Sequence, residues 1–160
     1  MKQLWAPWRM QYILGPKSSA CVLCVDPGQD EGRLVLVRSQ HALVMLNKYP
    51  YTNGHLLVLP ARHVARIWQL EDEEYQDLCR LLRQTAHNLQ QALQPHGMNL
   101  GMNIGEVAGA GVDEHLHFHV VPRWSGDHNY MSILGEVRLI NEHLEESYRR
   151  LKPFFQGWGR

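Results

Sequence analysis

His115, His117 and His119 occupy alternate positions in the run His115-Leu116-His117-Phe118-His119-Val120-Val121-Pro122. Side chains of an extended strand point alternately to its two faces. The spacing therefore predicts three imidazoles on one face, with Leu116, Phe118 and Val120 on the other. The apolar set can anchor the strand in a core. The imidazole set titrates near neutrality and can ligate a metal, hold phosphate oxygens or attack phosphorus. A merely solvated strand face is the bland alternative, and strict alternation of three histidines speaks against it.

Two further stretches carry chemistry. Gly105-Glu106-Val107-Ala108-Gly109-Ala110-Gly111 directly precedes the ladder. Glycines allow close backbone approach, so amides in such a loop can cradle phosphate oxygens. Glycine-rich hairpin loops are common, and it is the neighbouring histidines that make an anion site coherent. Cys21-Val22-Leu23-Cys24 has the spacing of half a tetrahedral zinc site. A redox Cys-x-x-Cys is the competitor, but no βαβ pattern surrounds it. Cys79 reads as a small core residue on a helix.

The elements that must position these groups follow from patterning. Val- and Leu-rich runs at Arg33 to Val37, Ala42 to Leu46 and His55 to Leu59 predict three strands, with Ser39-Gln40 and Asn53-Gly54 as turns between them. From Glu71 to Gln94, Tyr75, Leu78, Leu82, Ala86, Leu89 and Leu93 recur at helical spacing. Acidic residues open that helix and Pro95 closes it. Gly97 to Gly105 alternates, with Met98, Leu100, Met102 and Ile104 on one face and Asn99, Gly101 and Asn103 on the other. Pairing with the ladder as a hairpin would bring Asn103 towards the histidines. A second helix is expected from about Val137 to Leu151, with Val137, Ile140, Leu144, Tyr148 and Leu151 as its stripe. Strands mostly adjacent in sequence favour an antiparallel α+β fold of about five strands and two main helices. The 160 residues read as one domain, with an N-terminal arm over residues 1–20 and a C-terminal helical extension over about 130–160.

Lys plus Arg equals Asp plus Glu at 16 each, which removes the basic footprint of a nucleic-acid polymer binder. A nucleotide partner would then be a small molecule. No apolar run approaches the roughly 20 residues that span a bilayer, and the first nine residues lack a signal-peptide core. A cytoplasmic, reducing setting without disulfides is the expectation.

The signature His115-Leu116-His117-Phe118-His119-Val120-Val121 resembles the His-φ-His-φ-His-φ-φ motif of the histidine triad (HIT) superfamily of nucleotide hydrolases and transferases. Asn47-Lys48-Tyr49-Pro50 and Gly54-His55-Leu56-Leu57-Val58-Leu59-Pro60 are similar to its nucleoside-binding strand pair. Leu4-Trp5-Ala6-Pro7-Trp8-Arg9-Met10 and Pro122-Arg123-Trp124-Ser125-Gly126-Asp127 resemble a bacterial branch near the diadenosine polyphosphate hydrolases and phosphorylases.

The resemblance implies His117 as the nucleophile that forms a nucleotidyl-imidazole. It implies His119 as a phosphate-binding neighbour and His55 as a further histidine close to the triad. Asn47 falls where ribose hydroxyls are bound, and Asn103 where an amide contacts phosphates. Gly109, Gly111 and Val112 fall in the phosphate loop. There the chain departs from the family: Ala110-Gly111-Val112 stands where many members carry Gln or Ser. Phosphate contacts then fall to backbone amides. Zinc-containing relatives take two ligands from positions matching His63, in Pro60-Ala61-Arg62-His63, and His115. With Cys21 and Cys24 these would hold a structural Zn²⁺. Homodimerisation, with the main helix contributing, is a further implication.

The leading expectation is a hydrolase or phosphorylase of adenine nucleotide conjugates. Hydrolysis of nucleoside phosphoramidates or aminoacyl-adenylates is the nearest alternative. A zinc-stabilised nucleotide-binding module without turnover, or a metal-storage protein, comes from other classes.

Overall fold

The computed structural model describes residues 21–127, 140 and 142–157. Its Val- and Leu-rich runs form β1 (Val35–Arg38), β2 (Ala42–Leu46) and β3 (Leu56–Pro60). Every residue of β2 and β3 is buried, the mark of strands covered on both faces. The long helix α1 (Asp72–Leu93) follows, then β4 (Gly97–Met102), β5 (Phe118–Arg123) and the short helix α2 (Leu144–Leu151). The strands make one sheet in the order β1-β2-β3-β5-β4, antiparallel at every pairing. The expected α+β architecture of five strands and two helices is what the chain adopts.

Each face of the sheet has its own core. Leu36, Val44, Leu46, Leu56, Val58, Leu116 and Val120 pack with Leu78, Leu81 and Leu89 of α1 and with Leu151 and Phe155 at the C-terminal end. On the opposite face Val35, Leu43, Met45, Leu57 and Leu59 pack with Leu23 and Val25 of the cysteine segment. The alternation in the ladder thus sorts as expected: Leu116, Phe118 and Val120 go to the helix side, while the histidines go to the other.

Four expectations need correction. The histidine strand is shorter than the spacing predicts, because β5 begins at Phe118. Before it, the Leu116 amide donates to the Val64 carbonyl at 2.7 Å. That diverts His115 and His117 from the β3 ladder to the segment after β3. The buried face of α1 is Glu74, Leu78, Leu81, Thr85, Asn88 and Leu89, rotated from the predicted stripe. Tyr75 is 45% exposed. Partnered polar groups replace it inside: Glu74 receives Arg62 at 2.8 and 2.6 Å, and the Thr85 hydroxyl donates to the Leu81 carbonyl.

Met98 and Met102 of β4, and Ile104 just beyond it, face the helix-side core, but Leu100 is 47% exposed on an edge strand. The second helix begins at Leu144, not near Val137. Ile140 is non-helical and His143 caps the helix. Val137 and the expected arm over residues 1–20 lie outside the described residues.

One turn is sterically fixed. Gly54 has φ +76°, and a Cβ there would meet Leu93 Cδ1 at 2.5 Å. The Asn-Gly turn that delivers His55 into β3 is therefore packed directly under the end of α1.

Candidate active site and metal centre

β2, β3, β5 and β4 lie side by side, and antiparallel register puts paired residues on the same face. Leu57 pairs with His119, and His119 with Gly101. One step along, the Asn47 amide donates to the His55 carbonyl at 3.0 Å. Asn47, His55 and His119 thus share one face, and Gly101 beside them leaves open space where a side chain would stand.

Hydrogen bonds fix the tautomers of this cluster. His55 Nδ1 accepts from the Tyr51 amide at 3.0 Å, so a neutral His55 carries its proton on Nε2. That proton is donated to His119 Nδ1 at 2.9 Å. His119 in turn carries its own proton on Nε2, available to a ligand. His117 Nδ1 donates to the His115 carbonyl at 2.8 Å, so the neutral ring carries its lone pair on Nε2. His117 and His119 meet edge to face with ring centroids 4.9 Å apart.

Electrostatics keep His55 and His119 neutral. Burial, reinforced by the neighbouring His119 and His117, lowers His55 from 6.5 to about 3. Burial, then the proximity of His117, lowers His119 to about 4. A neutral imidazole Nε2 beside neutral hydrogen-bond donors could attack a phosphorus that already carries negative oxygens. Tyr51 stacks on His119 at 5.6 Å and an interplanar angle of 27°. Sequence reasoning missed it, although Tyr51 stands four residues before His55.

Asn47 Nδ2 lies 3.3 Å from His55 Nδ1, and its oxygen accepts from the Tyr49 amide. Asn103 Nδ2 donates to the Gly109 carbonyl at 3.3 Å, so Asn103 braces the glycine loop. The Gly109 and Ala110 amides are consumed inside that loop by the carbonyls of Glu106 and Gly105. Gly111 and Val112 supply the loop's next two amides. Val112 also packs against the core that contains Leu23 and Val25.

At the other end of the ladder, one ligand atom from each of Cys21, Cys24, His63 and His115 lies within 4.8 Å of every other. His115 Nδ1 is 3.5 Å from Cys21 Sγ and 3.6 Å from Cys24 Sγ, and His63 Nδ1 is 3.4 Å from Cys24 Sγ. Ligands around a tetrahedral zinc stand roughly 3.5 Å apart, so the donor set fits Zn²⁺. His115 Nε2 donates to the Pro60 carbonyl at 3.0 Å, which turns the Nδ1 lone pair towards the sulfurs. Without a cation, burial and then the Cys21 charge push the Cys24 thiol up to about 11. A bound dication reverses that preference. Four protein donors would leave no open position for substrate, so a metal held here would be structural.

The HIT domain family model matches residues 30–126. An AP-4-A phosphorylase of Mycobacterium tuberculosis is 37% identical over 166 residues, 94% of this chain and 83% of the relative. An adenosine 5'-monophosphoramidase of Schizosaccharomyces pombe is 31% identical over 104 residues, 65% of this chain and 74% of the relative. A solved Zn-bound histidine triad family protein of Mycobacterium smegmatis is 26% identical. It superposes with a TM-score of 0.65 over 85% of this chain and 95% of that one. With its ladder divided between a four-donor cluster and the His117–His119 pair, and with this match over most of its length, the chain belongs to the HIT family.

Proposed function

We propose that the chain is a nucleotidyl-transferring hydrolase or phosphorylase of adenine nucleotide conjugates, with diadenosine polyphosphates as the leading substrate class. The observation that carries this is His117: its Nδ1 proton is held by the His115 carbonyl, and its Nε2 lone pair is free beside neutral His119. The 37% identity to an AP-4-A phosphorylase over 94% of the chain supports the substrate class.

In the proposed reaction His117 Nε2 attacks the α-phosphorus, the P–O bond to the leaving phosphate breaks, and a nucleotidyl-imidazole forms. His119 Nε2–H donates to a phosphate oxygen and stabilises charge spread over the transition state. His55 holds His119 in that tautomer through the 2.9 Å bond. The Gly111 and Val112 amides contact the phosphates, Asn47 the ribose, and Asn103 acts by bracing the loop. Water or inorganic phosphate then attacks the same phosphorus and breaks the P–N bond, giving AMP or ADP respectively. Zn²⁺ on Cys21, Cys24, His63 and His115 would anchor the start of the triad and take no part in bond making.

A homodimer is part of the proposal. The edge strand β4 with exposed Leu100, and the exposed Tyr75 on α1, are the surfaces that would meet. Among the described residues no helix is long and apolar enough to cross a membrane. The 31% identity to an adenosine 5'-monophosphoramidase favours one second reading, phosphoramidate hydrolysis through the same His117.

Incubation with diadenosine tetraphosphate, with and without inorganic phosphate, tests the assignment. A phosphorylase yields ADP and ATP only with phosphate, whereas a hydrolase yields AMP and ATP without it. Inertness towards diadenosine tetraphosphate combined with rapid turnover of adenosine phosphoramidate would transfer the assignment to the second reading.

A further inference from the structure

The glycine loop between β4 and β5 is closed by two side chains that the triad chemistry does not use. Asp113 stands at the end of the loop, and its Oδ1 accepts from the amide of Gly105 at the start, at 2.8 Å. Arg66 grips the same residue three ways. Its Nη1 donates to Asp113 Oδ1 and to the Asp113 carbonyl, and its Nη2 donates to Oδ2, each at 3.0 Å. Two parallel N–H···O bonds from a planar guanidinium set orientation as well as distance.

Both side chains are about one-third exposed, at 29% and 32%. The pair's worth is therefore geometric more than energetic. The loop it closes needs such a fixture. Gly105 and Gly109 have φ +91° and +90°, so the backbone between them has access to conformations closed to other residues. Two residues beyond Asp113 the chain reaches His115 and the metal cluster. Arg66 itself follows His63 by three residues, on the segment whose Val64 carbonyl accepts the Leu116 amide. The guanidinium thus ties the loop to the segment that also supports the metal cluster and the start of the triad.

We infer that Arg66 and Asp113 are positioning residues that hold the loop in the shape where the Gly111 and Val112 amides meet substrate phosphate. The inference rests on the nucleotide reading above and deepens it. The clamp sets affinity for the phosphate chain, while His117 retains the chemical step.

The test is calorimetric binding of AMP and of adenosine to the zinc-loaded wild type and to Arg66→Met, Arg66→Lys and Asp113→Asn variants. Loss of preorganisation worth about one hydrogen bond predicts AMP binding about tenfold weaker in Arg66→Met and Asp113→Asn. Adenosine binding and zinc content should be unchanged, with Arg66→Lys intermediate. In turnover, KM should rise by a similar factor with kcat within about threefold. AMP affinity unchanged in both variants overturns the clamp alone, as does equal weakening of AMP and adenosine. A wild type that binds neither ligand overturns the nucleotide reading and the clamp with it.

Discussion

Replacing His55 should flatten the acid side of the stability profile. His55 is 1% exposed, and burial together with His119 and His117 lowers it from the ordinary 6.5 to about 3. The unfolded chain takes up a proton on this residue near 6.5, and the folded protein refuses it until about 3. Between those values the unfolded state binds more protons. The contribution is therefore fully present above pH 6.5 and is lost as pH falls. Each unit is worth about 1.4 kcal/mol, so lowering the pH to about 5 costs the wild type roughly 2 kcal/mol through His55 alone. His55→Phe keeps the ring volume and removes the titration. It loses the bonds to Tyr51 and His119 at every pH, so its stability is lower but less pH-dependent. Urea unfolding at pH 7.5, 6 and 5 measures both slopes. The wild type should lose about 2 kcal/mol more than the variant over that range. Parallel profiles would refute the claim that His55 is held neutral by its surroundings.

Other substitutions probe the remaining parts. His117→Ala should lower kcat by at least about 10⁴-fold while AMP affinity stays within about threefold, measured by steady-state kinetics and calorimetry. Wild-type protein should contain one zinc per chain by elemental analysis. Cys24→Ser and His63→Ala should lose it and melt about 5 °C lower or more, because metal binding is coupled to folding. Gly54→Ala should cost about 2–4 kcal/mol in chemical denaturation, from positive φ and the contact with Leu93.

Much of the site was legible because its chemistry is written locally. The alternation of His115, His117 and His119 and the Cys21–Cys24 spacing need only strand and turn geometry to be read. What was not legible depends on partners distant in sequence. The β5 start at Phe118 follows from the Leu116–Val64 bond, and no periodicity announces it. The buried face of α1 was misplaced because Glu74 goes inside only when Arg62, twelve residues earlier, is there to meet it. Arg66 and Asp113 were invisible for the same reason, being 47 residues apart and individually ordinary. The tautomers of His55, His117 and His119 are set by two backbone groups and one ring contact that only the folded chain supplies.

The most direct test of the central claim is a rapid-quench experiment with diadenosine tetraphosphate labelled at the α-phosphates, followed by peptide mapping under alkaline conditions. The account predicts a transient adenylyl group, acid-labile, on the peptide that carries His117 and absent from the His117→Ala protein. Label on another residue, or full turnover by His117→Ala, would contradict it.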